Sequence, residues 1–158
     1  MEIGRKLFYD GNGKILKDTG ERNGYVIETD HLTDFPEYDP SIHEVIELSY
    51  GERAEEIINR GGYEIINGEL VIYPQVAIQS DKETILNDGT DNAIITAIVP
   101  EDITLVFTVF DTDYSVDTVD GIGSLEVTTT ALGEIVVNVD ADKFGVNSVM
   151  IKGVDTLA

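Results

Sequence analysis

The sequence predicts a mainly β protein, in which a small α+β N-terminal module with one short helix precedes an antiparallel β-sandwich. Three observations predict this class: two glycine-containing hairpin signatures, a single helical segment, and a series of short Ile-, Val- and Thr-rich runs in the second half. The change of texture near Pro74 and Val76 places the module boundary there. We therefore predict two modules, residues 1–75 and 76–158.

The first hairpin is predicted at the start of the chain. An extended segment over 3–10 is followed by Gly11, Asn12 and Gly13, which tolerate positive φ, and by a second extended segment over 14–17. The Gly-Asn-Gly-Lys stretch lacks the features of a phosphate-binding P-loop, because Ile15 stands where that motif needs Ser or Thr. The stretch is therefore interpreted as a turn.

A short strand is predicted over 25–29, and the acidic, proline-containing stretch over 30–44 is predicted to be a loop. The helix is predicted to begin at Ser49, since Ser49 and Glu52 have capping-box spacing. Gly61 and Gly62 are expected to end it. On the helix, the apolar side chains at helical spacing are expected to pack on a sheet: Tyr50, Ala54, Ile57 and Ile58.

The second hairpin is predicted over 63–74, with Asn67–Gly68 as a type I′ turn. Beyond it, strands are predicted at QVAIQS, TIL, AIITAIV, ITLVFTVF, SLEVTTT, GEIVVNVD and SVMIKGV. In ITLVFTVF the alternating set expected to face the core is Ile103, Leu105, Phe107 and Val109. The regular spacing of these runs favours a sandwich of two sheets.

Charge restricts the classes of partner. The chain has 31 acidic and 10 basic residues, a formal net charge of -21, and its second module carries 15 acidic and only 3 basic side chains. Such a field repels nucleic acid phosphates and anionic membrane surfaces, so we expect neither nucleic acid binding nor membrane insertion. Cysteine is absent, which excludes disulfides and thiolate sites. The N-terminus lacks a secretion-signal pattern, so synthesis in the cytoplasm is expected.

The strongest candidate for a metal site is an acidic stretch in the second half. Four carboxylates that could bind calcium fall within ten positions: Asp111, Asp113, Asp117 and Asp120. The EF-hand pattern fails, because Val116 and Ile122 stand where that loop needs Gly and Glu. The alternative is a solvated loop between strands. No other cofactor is expected.

Other candidates lie in the acidic connection of the first module. His31 and His43 could form a mixed metal site with Asp30, Asp34 or Glu44, but no metal-ligand spacing supports one, and surface histidines are favoured. Ser41 lies near His43 without any nucleophile motif. Phe35 and Tyr38 are candidate binding residues for a carbohydrate or a protein, and the alternative is that they pin the loop to the core. Abundant carboxylates alone do not indicate a glycosidase.

The N-terminal half resembles a known family. The stretches IGRKLFYDGNGKILKDTGERNGYVIET, VIELSYGERAEEI and YEIINGELVIYP are similar to small structural proteins of the tail module of Bacillus-type siphophages and prophages. Members typically show Gly-Arg-Lys-Leu-Tyr-Tyr-Asp at the start, and here Phe8 replaces the first tyrosine while Tyr9 keeps the second. The resemblance covers about half the chain and implies a virion component.

The C-terminal half resembles bacterial Ig-like domains of the invasin and intimin type. The stretches that carry this resemblance are ILNDGTDNAIITAIV, ITLVFTV, GEIVVNVD and SVMIKGV. It implies that the β-sandwich is Ig-like. Such domains commonly decorate phage tail and capsid proteins, and neither family supplies catalytic residues for positions in this chain.

Together these resemblances imply a non-enzymatic structural protein of a phage tail or baseplate, located in the virion. The expected partners are other phage tail proteins and host cell-surface polysaccharide. The alternative is a cell-wall carbohydrate-binding accessory module. The two hypotheses differ in the particle or polymer that the protein binds.

Overall fold

A computed structural model describes residues 1–156. The chain divides into two compact units, Met1–Tyr73 and a second that begins at Pro74. The first unit contains three small sheets and two short helices, with these elements in chain order: β1 (Glu2–Ile3), β2 (Lys6–Tyr9), β3 (Ile15–Asp18), β4 (Arg22–Asn23), α1 (His31–Asp34), β5 (Glu44–Glu47), α2 (Ala54–Ile58), β6 (Arg60–Ile66) and β7 (Glu69–Pro74).

Strand β2 is the centre of the first unit. It pairs antiparallel with β3 on one side and with β5 on the other. Leu7 and Phe8 are adjacent and both fully buried, and neighbouring strand residues point to opposite faces. Both faces of β2 are therefore covered. Leu7 packs with Leu48, which follows β5, and with Ile57 of α2. Phe8 contacts aromatic rings from the 31–43 segment.

Both predicted turns of the first unit are confirmed. The Asp10 carboxylate accepts hydrogen bonds from the backbone N–H groups of Asn12 (2.9 Å) and Lys14 (3.0 Å), which closes the β2–β3 turn. Between β6 and β7, Asn67 and Gly68 have φ of 52° and 78°, as a type I′ turn requires. The Gly-Asn-Gly-Lys stretch is thus part of a hairpin.

Three local predictions for the first unit are wrong. Residues 25–29 form no strand, and Tyr25 and Ile27 are highly exposed, because β-propensity without a neighbouring strand leaves the backbone unpaired. The segment over 30–44, expected to be loop, includes α1 and reaches β5 at Glu44. The third error concerns the boundaries of the predicted helix.

That helix, α2, begins at Ala54 instead of Ser49. The Glu52 carboxylate does accept a hydrogen bond from the Ser49 N–H at 3.0 Å, which is half of a capping box. Arg53, with φ of 52°, then precedes the first helical residue. The helix ends at Ile58, with Asn59 as its C-cap, and Gly61 and Gly62 lie inside β6. Of its predicted apolar face, Ile57 is buried but Ile58 is exposed.

The second unit is an Ig-like β-sandwich. Its strands are β8 (Ala77–Ser80), β9 (Thr84–Leu86), β10 (Ala93–Ile98), β11 (Thr104–Val109), β12 (Thr112–Asp117), β13 (Ile122–Val127), β14 (Gly133–Asp140) and β15 (Val146–Val154). One sheet has the order β13-β10-β8 and the other β12-β11-β14-β15-β9. Pairing is antiparallel apart from the β9–β15 pair, which is parallel.

The predicted strand runs of the second unit are confirmed, except that β13 ends at Val127, before the three threonines of SLEVTTT. The alternation predicted for β11 is as expected. Leu105, Phe107 and Val109 of β11 face the core, as do Ile135, Val137 and Val139 of β14. Ile103 lies just before β11 and is only partly buried. Strand β12 was not predicted: the acidic stretch expected to be a loop is a strand at the edge of the five-stranded sheet.

Candidate functional site

The four aspartates predicted to bind calcium lie along a hairpin and the turn that follows it. Asp111 is in the two-residue turn between β11 and β12, and Asp113 and Asp117 lie on β12. Their carboxylates accept hydrogen bonds from the hydroxyls of Thr108 (2.7 Å) and Thr104 (2.6 Å), respectively. Asp120 is in the turn before β13, with φ of 53°.

These aspartates do not converge on one point. A strand rises about 3.3 Å per residue, which places the backbones of Asp113 and Asp117 about 13 Å apart. Within residues 1–156, the structure contains no group of three or more His, Cys, Asp or Glu side chains that could hold a metal ion. Two of the four carboxylates already accept hydrogen bonds from threonines of the neighbouring strand β11. They form a row of Thr–Asp pairs along an exposed face of the sheet.

Phe35 and Tyr38 form an aromatic cluster around the buried Phe8. The Phe8 ring lies 5.2 Å from that of Phe35 and 5.5 Å from that of Tyr38, measured between centroids. His31 also meets Phe8 edge-on at 5.5 Å. Edge-on and tilted geometries are the favourable ones for aromatic pairs. The geometry therefore agrees with the alternative in which these two rings hold the 31–43 segment against the core.

Both histidines of this cluster accept hydrogen bonds at Nδ1. The Lys6 ammonium, which has only donors, lies 3.2 Å from His31 Nδ1. The backbone N–H of Asp39 donates to His43 Nδ1 at 3.0 Å. Each imidazole ring is therefore oriented by its own hydrogen-bond donor. The two histidines and the nearby carboxylates do not converge on a common metal position.

A charged network lies beside this cluster. Lys6 donates to the Asp34 carboxylate at 2.6 Å and to the Thr29 carbonyl at 2.8 Å, and the Thr29 hydroxyl donates to Asp34. Burial alone would raise the pKa of Asp34. The hydrogen bonds from Lys6 and Thr29, together with the charges of Lys6 and Arg22, outweigh burial and hold that pKa below its ordinary value.

The same network borders a cleft of about 490 Å³, whose lining includes Arg5, Lys6 and Arg22. Arg5 pairs with Asp18 at 2.5 Å. Arg22 lies 3.9 Å from Asp34 through Nη2, which is too long for a hydrogen bond, and its Nε and Nη2 atoms are buried without a hydrogen-bond partner. The sequence signal for this cluster was the Gly-Arg-Lys at the start of the chain.

A groove of about 450 Å³ lies at one end of the sandwich, where no site was predicted. Its lining residues are Gly89, Phe110, Thr128, Thr129, Thr130 and Ala131. Phe110 is 58% exposed, and Thr128 and Thr130 are exposed as well. In the sequence, this groove is marked by an aromatic residue beside Asp111 at a strand end and by the Thr-Thr-Thr run. Neither feature is specific to a binding site.

Within the described residues, no helix is both long enough and apolar enough to span a membrane. No protein-family model and no curated protein matches the sequence. Among solved structures, the chain is similar to two crystal structures of a glycosyl hydrolase family 2 member from Bacteroides cellulosilyticus, one of them from strain DSM 14838. Both are 14% identical, with TM-scores of 0.45 and 0.47.

Those two alignments cover 95% and 96% of this chain but only 23% and 22% of the hydrolase chain. The chain thus spans less than a quarter of the solved protein that it matches. The sandwich assignment rests on the strand order and register of the second unit.

Proposed function

We propose that this chain is a non-enzymatic structural protein of a phage tail or baseplate, located in the virion. In this role the first unit attaches it to other tail proteins and the Ig-like sandwich contacts the host surface. The observation that carries the proposal concerns the residues by which the chain resembles tail-module proteins. Their side chains and backbone build the first unit.

The contacts of the Gly-Arg-Lys-Leu-Phe-Tyr-Asp segment support this interpretation. A Cβ at Gly4 would lie 1.9 Å from the Leu48 carbonyl oxygen, so the backbone approach there needs glycine. Arg5 pairs with Asp18, and Lys6 pairs with Asp34. The Tyr9 hydroxyl donates to the Glu44 carboxylate at 2.7 Å.

Arg5, Lys6 and Tyr9 thus each have a partner within the first unit, which supports a structural role for this segment. A chain that shares this segment is expected to share the first unit. Contact with the host would be multivalent: many copies on one particle raise the effective concentration, so each sandwich needs only weak affinity.

The test is binding of the purified full-length protein to purified tails that lack it and, in parallel, to intact Gram-positive cells. We expect saturable binding to the tails and weak binding to cells by the isolated protein. The Gly13→Ala variant, whose added Cβ would clash with the Ile65 carbonyl oxygen in the first unit, should weaken tail binding, whereas Gly11→Ala should retain it. Binding to cells without any binding to tails would overturn the tail location and favour the carbohydrate-binding accessory module.

A further inference from the structure

We infer that the groove formed by Gly89, Phe110 and the 128–131 segment is a binding site for a neutral saccharide. This inference rests on the proposed function, because it assigns the host-surface contact of the sandwich to one place.

Among residues 1–156, three two-residue turns have positive φ at both positions. Two of them, Asn67–Gly68 and Asp120–Gly121, use the residues that such turns favour. The third, between β11 and β12, is Phe110–Asp111, with φ of 51° and 62°. A bulky residue at positive φ is an outlier, and this one also exposes most of its ring to water. Neither the turn nor the core gains from phenylalanine at this position.

The other residues that line the groove are held in place by hydrogen bonds and close backbone contacts. Thr129 is buried, and its hydroxyl accepts a hydrogen bond from the Ala131 N–H at 3.0 Å. The Gly89 N–H donates to the Thr129 carbonyl at 3.0 Å. A Cβ on Gly153 would lie 2.4 Å from the Ala131 carbonyl oxygen, so β15 supports the segment closely from below. The site is thus pre-formed.

The polar groups of the rim are free to bind. In the part of the chain that the structure describes, the hydroxyls of Thr128 and Thr130 make no hydrogen bond to the protein, and both side chains are exposed. A hydroxyl offers one donor and two acceptor positions. A flat aromatic face beside such hydroxyls complements a pyranose, which has an apolar C–H face and a polar rim. The volume also falls in the range of small-molecule sites, about 300–1,000 Å³.

Charge selects a neutral glycan over an anionic wall polymer. The second unit carries 15 acidic and 3 basic residues, and Asp111 lies in the same turn as Phe110. Phosphate-rich teichoic acids are repelled by such a field, whereas uncharged sugars are not. The occupant inferred here is therefore an uncharged hexose or N-acetylhexosamine unit of a surface polysaccharide.

The experiment is an NMR titration of the ¹⁵N-labelled full-length protein with neutral oligosaccharides of glucose, galactose and N-acetylglucosamine. A poly(glycerol phosphate) teichoic acid serves as the anionic comparison. We expect saturable shifts of the backbone amides of Gly89, Phe110 and Thr130 with at least one neutral glycan. Phe110→Asn should weaken that binding at least about tenfold, while the thermal midpoint stays the same or rises because Asn suits the turn.

Ile122→Ala is the matched control, since Ile122 is also exposed and lies at the opposite end of β13 from Thr128. Its glycan affinity should be unchanged. Binding of none of the neutral glycans, equal binding by Phe110→Asn, or binding of teichoic acid alone would overturn the inference. If tails are bound but no neutral glycan is, only the groove assignment fails; if a neutral glycan is bound at the groove but tails are not, only the tail location fails.

Discussion

Gly11 and Gly13 lie two positions apart in the β2–β3 turn, and their surroundings differ. Gly13 has φ of 80°, and a Cβ there would lie 1.9 Å from the Ile65 carbonyl oxygen. The Ile65 N–H also donates to the Gly13 carbonyl at 2.9 Å. A Cβ on Gly11 would meet no atom within 4 Å. The composition of the turn predicts the same role for both glycines. Only the close approach of β6, which is distant in sequence, shows that a side chain fits at Gly11 and not at Gly13.

Gly13→Ala is expected to destabilise the first unit by at least about 2 kcal/mol, since it combines a left-handed backbone conformation with a clash against Ile65. Gly11→Ala should change the free energy of unfolding by less than about 0.5 kcal/mol. Urea denaturation followed by circular dichroism measures both. Equal destabilisation by the two substitutions would contradict the contact between the turn and β6.

Asp34 is the buried partner of Lys6, with side chains only 6% and 13% exposed. Asp34→Asn leaves the Lys6 ammonium without its anion and should cost about 1–3 kcal/mol at pH 7. Because the pKa of folded Asp34 is depressed, its contribution is present above the ordinary carboxyl value of about 3.9 and is lost as the pH falls through the folded pKa.

The stability difference between wild type and Asp34→Asn should therefore shrink as the pH is lowered from 5 to 2, as measured by denaturant unfolding at each pH. Glu37→Gln, at an exposed position of the same segment, is the control and should be nearly neutral throughout. A difference that is independent of pH would show that Asp34 acts through packing alone.

At the scale of elements, alternation along a strand is the best-determined feature. Ile94 and Ile95 are neighbours on β10, and Ile95 is fully buried while Ile94 is 38% exposed. Ile95→Ala should cost about 2–5 kcal/mol through lost burial and a cavity, and Ile94→Ala less than about 1 kcal/mol. Thermal unfolding of the second unit compares the two, and a reversed order would contradict the register of β10 against β13.

The elements that sequence patterns missed depend on neighbours. Strand β12 is mostly polar and exposed, and it is a strand because β11 supplies a full register of partners from Thr104–Asp117 to Val109–Thr112. The opposite holds for residues 25–29, which have strand-like composition but pair with no neighbouring strand. Helix α2 starts at Ala54 because the backbone of Arg53 is left-handed, with φ of 52°. The Arg53 side chain also donates to the Leu70 carbonyl of β7, a contact distant in sequence.

At the scale of the whole molecule, net charge is the dominant electrostatic property. With a formal charge of -21, self-repulsion opposes the compact state and is screened by salt. The thermal midpoint at pH 7 should rise by a few degrees between about 10 mM and 300 mM NaCl. Near pH 4.1, the isoelectric point, the same salt change should have little effect. A midpoint at pH 7 that does not respond to salt would contradict this account.

The sequence by itself determined the fold class, the two hairpin turns of the first unit, the core-facing alternation of β11, and the acidic surface. Each of these follows from local backbone preference, from a period of two, or from counted charge. Only the tertiary structure decided that Asp113 and Asp117 lie far apart on an edge strand, that Phe35 and Tyr38 cover Phe8, and that Phe110 lines a groove together with three threonines. These juxtapositions join residues from separate elements, and long-range pairing, which no local pattern encodes, brings them together.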